Sequence, residues 1–203
     1  MKRLISTVLL ICAVLAPAAN AQDASNKPAT ETATFAAGCY WCVESDFDKV
    51  RGVLSTESGF MGGTFPNPTY QQVSTGRTGH TEVVRVTYNP SITNYESLLA
   101  HYWVNVDPVD GGGQFCDRGS HYRPAIFTYN DDQKRLAEAS KQKLVDSKRF
   151  DRPIAVEIVP DSAFTPAPDQ DFYKTNSIRY KYYRAGCGRD ARLSQVWGDK
   201  PAY

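Results

Sequence analysis

The sequence predicts an α+β fold, a two-layer sandwich with helices packed on a mixed β-sheet and long functional loops. Two observations carry this. Segments with strand and helix patterns follow one another as strand, helix, strand, strand, helix, strand, helix, strand, with no internal repeat. The chain also has 203 residues of ordinary globular composition, enough for one well-packed core without covalent staples. A net charge of +1 leaves no electrostatic footprint that calls for nucleic acid.

Before the first strand, Lys2 and Arg3 precede the short apolar run "LISTVLLICAVLA", and "APAANAQ" supplies small residues around a cut after Ala21. That is the layout of a secretory signal peptide, with an apolar run too short for a comfortable membrane span. Ile11 rather than a small residue precedes Cys12, against a lipoprotein signal. The expectation is therefore residues 1–21 removed and the protein released, to the periplasm in a cell with two membranes; an uncleaved anchor is the lesser alternative. Residues 22–31 are polar and lack periodicity, as in a flexible leader, and residues 32–203 are left as a single domain.

"TATFAAG" alternates weakly and reads as a strand. "CYWCVESDFDKV" has Val43, Phe47 and Val50 at helical spacing, with Glu44, Asp46 and Asp48 placed to favour the positive helix end. Cys39 would then sit at a helix N-terminus just after a strand. "GVLSTESGFM" reads as a strand, and Gly62-Gly63, Pro66 and Pro68 break the next segment into a loop. "TEVVRVTY" alternates as a strand ended by Asn-Pro, and "NYESLLAHYWVNV" is helical through Tyr95, Leu98, Leu99 and Tyr102. "DPVDGGGQFCDRGSHYR" is too long for a mere connector, which marks it as functional. "PAIFTY" is a buried strand, "NDDQKRLAEASKQKLVDSKRF" a surface helix with acids first and bases last, and "PIAVEIVP" another strand. The tail from Asp169 is Tyr-rich and helical around "YKYYR".

Removal of residues 1–21 leaves four of the five cysteines: Cys39, Cys42, Cys116 and Cys187. In an exported protein these could form structural disulfides, but a Cys39–Cys42 clasp closes a loop so small that cross-linking gains little. Zinc held by four cysteines wants two close pairs, and Cys116 and Cys187 are isolated in sequence. A thioredoxin-like exchanger also places C-x-x-C at a helix start after a strand. Here, however, Tyr40 and Trp41 lie between the cysteines, and two large rings suit the wall of an apolar pocket for a small substrate group. A helix N-terminus would lower the pKa of Cys39 and make it the reactive thiolate, with Cys42 one turn away.

"YQQVSTGRTGHTEVVRV" places Tyr70, His80 and Glu82 near a turn and a strand entry. A desolvated Glu82 would be neutral and able to donate a proton; a solvated Glu paired with an Arg is the alternative. The Gly-rich segment adds Asp117, Tyr122 and Arg123. Tyr122 could equally be core packing with its hydroxyl at the rim, and neither His80 nor His121 is given a role.

"GCYWCVE", "NPTYQQVSTGRTGHTE", "DPVDGGGQFCDRGSHYRPAIF" and "YKYYRAGCGRDARL" together resemble the methionine sulfoxide reductase A family, from about Ala33 to Trp197. The resemblance implies a ferredoxin-like fold and reduction of the S epimer of methionine sulfoxide, free or protein-bound. It makes Cys39 the nucleophile and has Trp41, with the ring of Tyr40, hold the sulfoxide methyl group; Tyr40 stands where the family usually has Phe, so its hydroxyl would alter the pocket rim. Glu82 becomes the acid, Tyr70 and Tyr122 the donors to the sulfoxide oxygen, and Asp117 their support. It implies no metal or organic cofactor, and a Cys39 sulfenic acid that condenses with a second thiol before a thioredoxin-like dithiol resets the disulfide. Members differ in the resolving cysteine. Proximity favours Cys42 here; Cys187 is the alternative resolver or a relay, and Cys116 a bystander.

Overall fold

The computed structural model describes residues 29–198; the expected signal peptide and most of the expected leader lie outside them. Strand β1 (Glu31–Ala36) leads into helix α1 (Tyr40–Phe47), then β2 (Val53–Met61), α2 (Tyr70–Ser74), β3 (Thr81–Tyr88) and α3 (Tyr95–Trp103). The Gly-rich segment forms a small hairpin of β4 (Gly113–Gln114) and β5 (Asp117–Arg118), with a 3₁₀ turn at Ser120–Tyr122. Then come β6 (Ala125–Thr128), α4 (Asp131–Asp146), β7 (Glu157–Pro160), β8 (Thr165–Pro166), α5 (Phe172–Thr175), α6 (Ser177–Gly186) and α7 (Arg189–Trp197).

The main sheet has the order β7-β6-β1-β3-β2-β8. All its pairs are antiparallel except β6 with β7, which are joined by the crossover helix α4, as a parallel pair requires. The mixed sheet and α+β class expected from the sequence are thus present. Alternation sets the two faces. Phe35, Val84, Val86 and Ile126 pack with Phe47, Leu98, Leu99 and Tyr102 from the helices, and Phe35 stacks on Phe47 at 4.8 Å between ring centroids. On the other face Met61, Val83, Ala125 and Phe127 form a smaller cluster with Phe164 against it.

Four details differ from the sequence reading. Glu31 pairs with Tyr88 and belongs to β1 rather than to a leader. Tyr70, expected near a turn, opens the short helix Tyr70–Ser74, because Thr69 and Gln72 close a reciprocal capping box. The strand in "PIAVEIVP" begins only at Glu157, since the chain just before it is held elsewhere: the Ala155 N–H donates to the Pro108 carbonyl. The tail is three helices: left-handed Asp171 starts the first, Asn176 separates it from the second, and left-handed Gly188 divides the second from the third.

The acids of α1 are a further difference, and they matter most for the site. None lies in the first turn. Glu44 and Asp46 are buried, and all three acids tie the tail to α1. Glu44 Oε1 accepts from the Asp171 N–H. Asp46 pairs with Arg184 at 2.9 Å and Arg189 at 3.6 Å, and Asp48 with Lys174 at 2.7 Å. Removing one partner from a buried ion cluster strands the others. Asp46→Ala is accordingly expected to lower stability by about 3–5 kcal/mol, read by urea titration; a loss under about 1 kcal/mol would contradict the anchoring role.

Candidate active site

Gly38 has φ +82°, and a Cβ there would stand 2.7 Å from Gln114 Cβ, so glycine alone permits the turn from β1 into α1 against the Gly-rich segment. Gln114 is itself fixed: its amide brackets the Asp107 backbone, accepting from N–H and donating to C=O, both at 2.9 Å. Gly113, at φ +140°, lets that segment fold tightly, since a Cβ would meet the Asp117 carbonyl at 2.3 Å.

The turn places Cys39 at the N-cap of α1, where its carbonyl accepts the Cys42 and Val43 N–H groups at 3.1 and 3.3 Å. Both cysteines are free thiols, Cys39 7% and Cys42 2% exposed, and their side chains hydrogen-bond to each other. A cavity of about 230 Å³ opens over Cys39. Its walls include Tyr40, Trp41, Tyr70, Glu82, Asp117 and Tyr122, together with Arg179 and Tyr183. The structure therefore gathers Cys39 and all six other sequence-predicted pocket residues, with Cys42 behind them among Phe172 and Tyr180. A larger cleft of about 760 Å³, lined by Glu31, Arg85 and Gln133 among others, holds no cysteine.

Glu82 enters from β3, and its Oε2 accepts the Tyr40 N–H at 2.9 Å. Burial pushes its carboxyl well above the ordinary carboxylate range, more than that one hydrogen bond lowers it. No Arg or Lys pairs with it among the described residues, and it is 3% exposed, so the solvated, Arg-paired alternative is not what the structure shows. The Tyr70 and Tyr122 hydroxyls hydrogen-bond to each other, and burial raises both. His80 serves the structure of the loop: its Nδ1 accepts from the Gly63 N–H while Nε2 donates to the Phe65 carbonyl.

The rings form a continuous wall. Trp41 stacks on Phe172 at 3.8 Å and meets Tyr40 and Tyr183 edge-on. Tyr40 is only 1% exposed, and its hydroxyl is buried without a partner among the described residues, so it does not alter the rim as expected. Tyr40→Phe should remove that unpaired group and raise stability by about 1 kcal/mol, read as a higher melting temperature; a lower one would show that the hydroxyl has a partner.

Two expectations need correction. A helix N-terminus was expected to hold Cys39 as a thiolate, but burial and the Cys42 hydrogen bond push its thiol up, against the lowering by the Tyr183 hydroxyl. Of the two thiols it is Cys42 that is lowered, by its hydrogen bond with Cys39 and by the Arg189 and Arg184 charges, against its own burial. Cys116, expected as a bystander, is disulfide-bonded to Cys187 with a Cα–Cα separation of 5.0 Å. Cys187 thereby lacks the free thiol that an alternative resolver needs. The same bond takes up both sulfurs of the cluster Cys116, Asp117 and Cys187, which otherwise has donors for a metal.

The sequence reading missed Tyr183, Arg179 and Arg189. Tyr183 donates to Asp117 Oδ2 at 2.6 Å and also hydrogen-bonds Cys39. Its signal was the four-residue spacing of Arg179 and Tyr183, which puts both on one helix face. Arg189 is 1% exposed and donates to the Ala37 and Asn105 carbonyls at 2.9 and 2.7 Å, locking α7 to the turn that carries Cys39. Nothing local in "GRDARL" announces that reach.

Comparison with known proteins gives this site a context. The family model described as "Peptide methionine sulfoxide reductase" matches residues 31–201. A peptide methionine sulfoxide reductase MsrA of Bacillus licheniformis is 49% identical over 172 residues, covering 84% of this chain and 95% of that one. MsrA 2 of Caulobacter vibrioides is 48% identical over 98% of this chain and 100% of its own. The solved structure of methionine sulfoxide reductase A of Corynebacterium diphtheriae superposes with a TM-score of 0.67 at 34% identity, covering 75% of this chain and 77% of that one. Its fold, the cavity over Cys39 and these matches place the chain in the peptide methionine sulfoxide reductase family.

Proposed function

We propose that this reductase acts on the S epimer of methionine sulfoxide with Cys39 as nucleophile, Glu82 as proton donor and Cys42 as resolving thiol. The observation that carries the reading is the buried Glu82, its carboxyl pushed well above the ordinary range, in one small cavity with Cys39. A sulfoxide oxygen is a strong acceptor and a poor leaving group. Glu82, with the Tyr70 and Tyr122 hydroxyls, hydrogen-bonds that oxygen and protonates it as negative charge develops. Trp41 and the Tyr40 ring enclose the methyl group. The Cys39 sulfur attacks the substrate sulfur, the oxygen passes to Cys39 as a sulfenic acid, and methionine leaves. The proton lost from the Cys39 thiol replaces the one that Glu82 gave. Because the free thiol is held neutral by burial, it is activated only alongside proton transfer to the bound sulfoxide.

Cys42 then condenses with the sulfenic acid, releasing water and forming a Cys39–Cys42 disulfide. Contact between the two side chains supports it as resolver. A thioredoxin-like dithiol resets the pair. Cys42→Ser is expected to keep one methionine per chain and lose dithiol-driven recycling; an unaffected steady-state rate would remove Cys42 as sole resolver. We also propose export with cleavage after Ala21. The n-region and apolar run of residues 1–21 support it, as does a disulfide that suits an oxidising compartment. The N-terminus of the exported protein, expected at Gln22, tests this.

A further inference from the structure

We infer that the Cys116–Cys187 disulfide is a positioning clamp for the substrate pocket: it holds Asp117 against Tyr183 and so fixes the wall that faces Cys39. The inference rests on the reading of that cavity as the sulfoxide site. Cys116 immediately precedes Asp117, and Cys187 follows Tyr183 by four residues, one turn along the same face of α6. The covalent bond therefore joins the same two segments as the 2.6 Å hydrogen bond from Tyr183 to Asp117. Cys187 Sγ lies 3.8 Å from the same Asp117 oxygen, and the Cys116 N–H lies 3.2 Å from Cys187 Sγ.

The two segments need such a tie unequally. Helix α6 is already anchored to α1 through Arg184 and Asp46. The other side is a hairpin of two-residue strands; Gln114 pins its first strand to Asp107 and Arg118 pairs its second with Asp110, which leaves the tip at residues 115–117 as the part with least support of its own. Among the described residues the Asp117 carboxylate meets no partner from its own hairpin beyond the neighbouring Cys116; the Tyr183 hydroxyl across the gap is what orients it. With the bridge intact, Asp117 and Tyr183 stand as one wall; with it open, only the Tyr183 hydrogen bond holds the hairpin tip, and Asp117 can shift from its place facing Cys39. Cys116 is exposed, so an added dithiol can reach and open the bridge.

The test is a rapid-quench burst of methionine formation from S-epimer methionine sulfoxide. It uses full-length mature protein whose bridge and free Cys39 and Cys42 thiols have been verified by peptide mass. Wild type, Cys116→Ser/Cys187→Ser, Asp117→Ala and the triple variant are compared across substrate concentrations. Loss of the bridge should raise the half-saturating concentration about five-fold, as for directly coupled neighbours, with a smaller change in the maximal burst rate; in the Asp117→Ala background the same change should be under two-fold. Should the serine pair fail to fold, Cys116→Ala alone opens the same bridge and carries the measurement. An unchanged half-saturation, or equal shifts in both backgrounds, overturns the clamp. So does an intact burst with slowed recycling, which would make the bridge an electron relay through Cys187. Absence of any burst in wild type would instead overturn the functional reading, and the clamp with it.

Discussion

Cys39→Ser abolishes methionine formation altogether, including the first turnover. A serine hydroxyl of similar size keeps the N-cap geometry, and the cavity walls do not depend on the sulfur. What is lost is the only free sulfur that lines the cavity among the described residues. Cys42 cannot substitute: it is 2% exposed and lies behind Cys39 rather than in the cavity wall. An alcohol is a far weaker nucleophile toward sulfur, and no stable oxidised serine corresponds to a sulfenic acid. Methionine counted per chain by quench and chromatography should be zero within error, with Trp41 fluorescence still reporting substrate binding. Residual stoichiometric turnover in this variant would require a different nucleophile.

The second large effect is expected for Glu82→Gln, which should slow the burst about 100- to 1,000-fold with little change in half-saturating substrate. Glutamine keeps the shape, can still accept the Tyr40 N–H and can still hydrogen-bond the sulfoxide oxygen, but it has no acidic proton to transfer. A change confined to KM would contradict the acid role. The pH dependence has a definite sign. Glu82 acts in its neutral form, so the wild-type burst falls as pH rises through its raised pKa, and the glutamine variant lacks that fall. Stability moves the same way. Between the ordinary value of 4.5 and the raised folded value, the folded chain binds a proton that the unfolded chain has released, so stability declines as pH rises. Glu44, pushed up to about 7 mainly by burial, adds to that slope. The stability advantage of Glu82→Gln over wild type should therefore grow with pH across this window, as urea titrations at pH 5 and pH 8 would reveal.

The parts of this molecule legible in its sequence are those written in local pattern. The alternation of "TEVVRV" and the helical spacing of "NYESLLAHYW" identify β3 and α3: Val84, Val86 and Tyr88 share one core face of the strand, and Leu98, Leu99 and Tyr102 the buried side of the helix. The capping box at Thr69 was readable in principle but was hidden behind Pro66 and Pro68, which dominate the local signal. Most of the pocket was legible because its residues sit in three distinctive motifs, "GCYWCVE", "NPTYQQVSTGRTGHTE" and "DPVDGGGQFCDRGSHYRPAIF". The missed members, Tyr183, Arg179 and Arg189, reach the site only through long-range docking of the tail. That docking depends on Glu44, Asp46 and Asp48, whose sequence position suggested interaction with the helix end instead. The thiol of Cys39 was misjudged for a related reason: a helix N-terminus can be read from sequence, whereas the burial that overrides it depends on what folds over the site. The Cys116–Cys187 bond, spanning 71 residues, comes from the same docking.

The most direct test of the central claim is a stoichiometric one. The mature protein, with Cys39 and Cys42 reduced and no reductant present, is given excess S-epimer methionine sulfoxide. Methionine formed and thiols lost are counted per chain, and the new disulfide is located by peptide mass. The account predicts one methionine, two thiols consumed and a Cys39–Cys42 link, with Cys116–Cys187 unchanged. A Cys39–Cys187 link would contradict the assignment of the resolver, and no methionine with no thiol lost would contradict the account of the site as a whole.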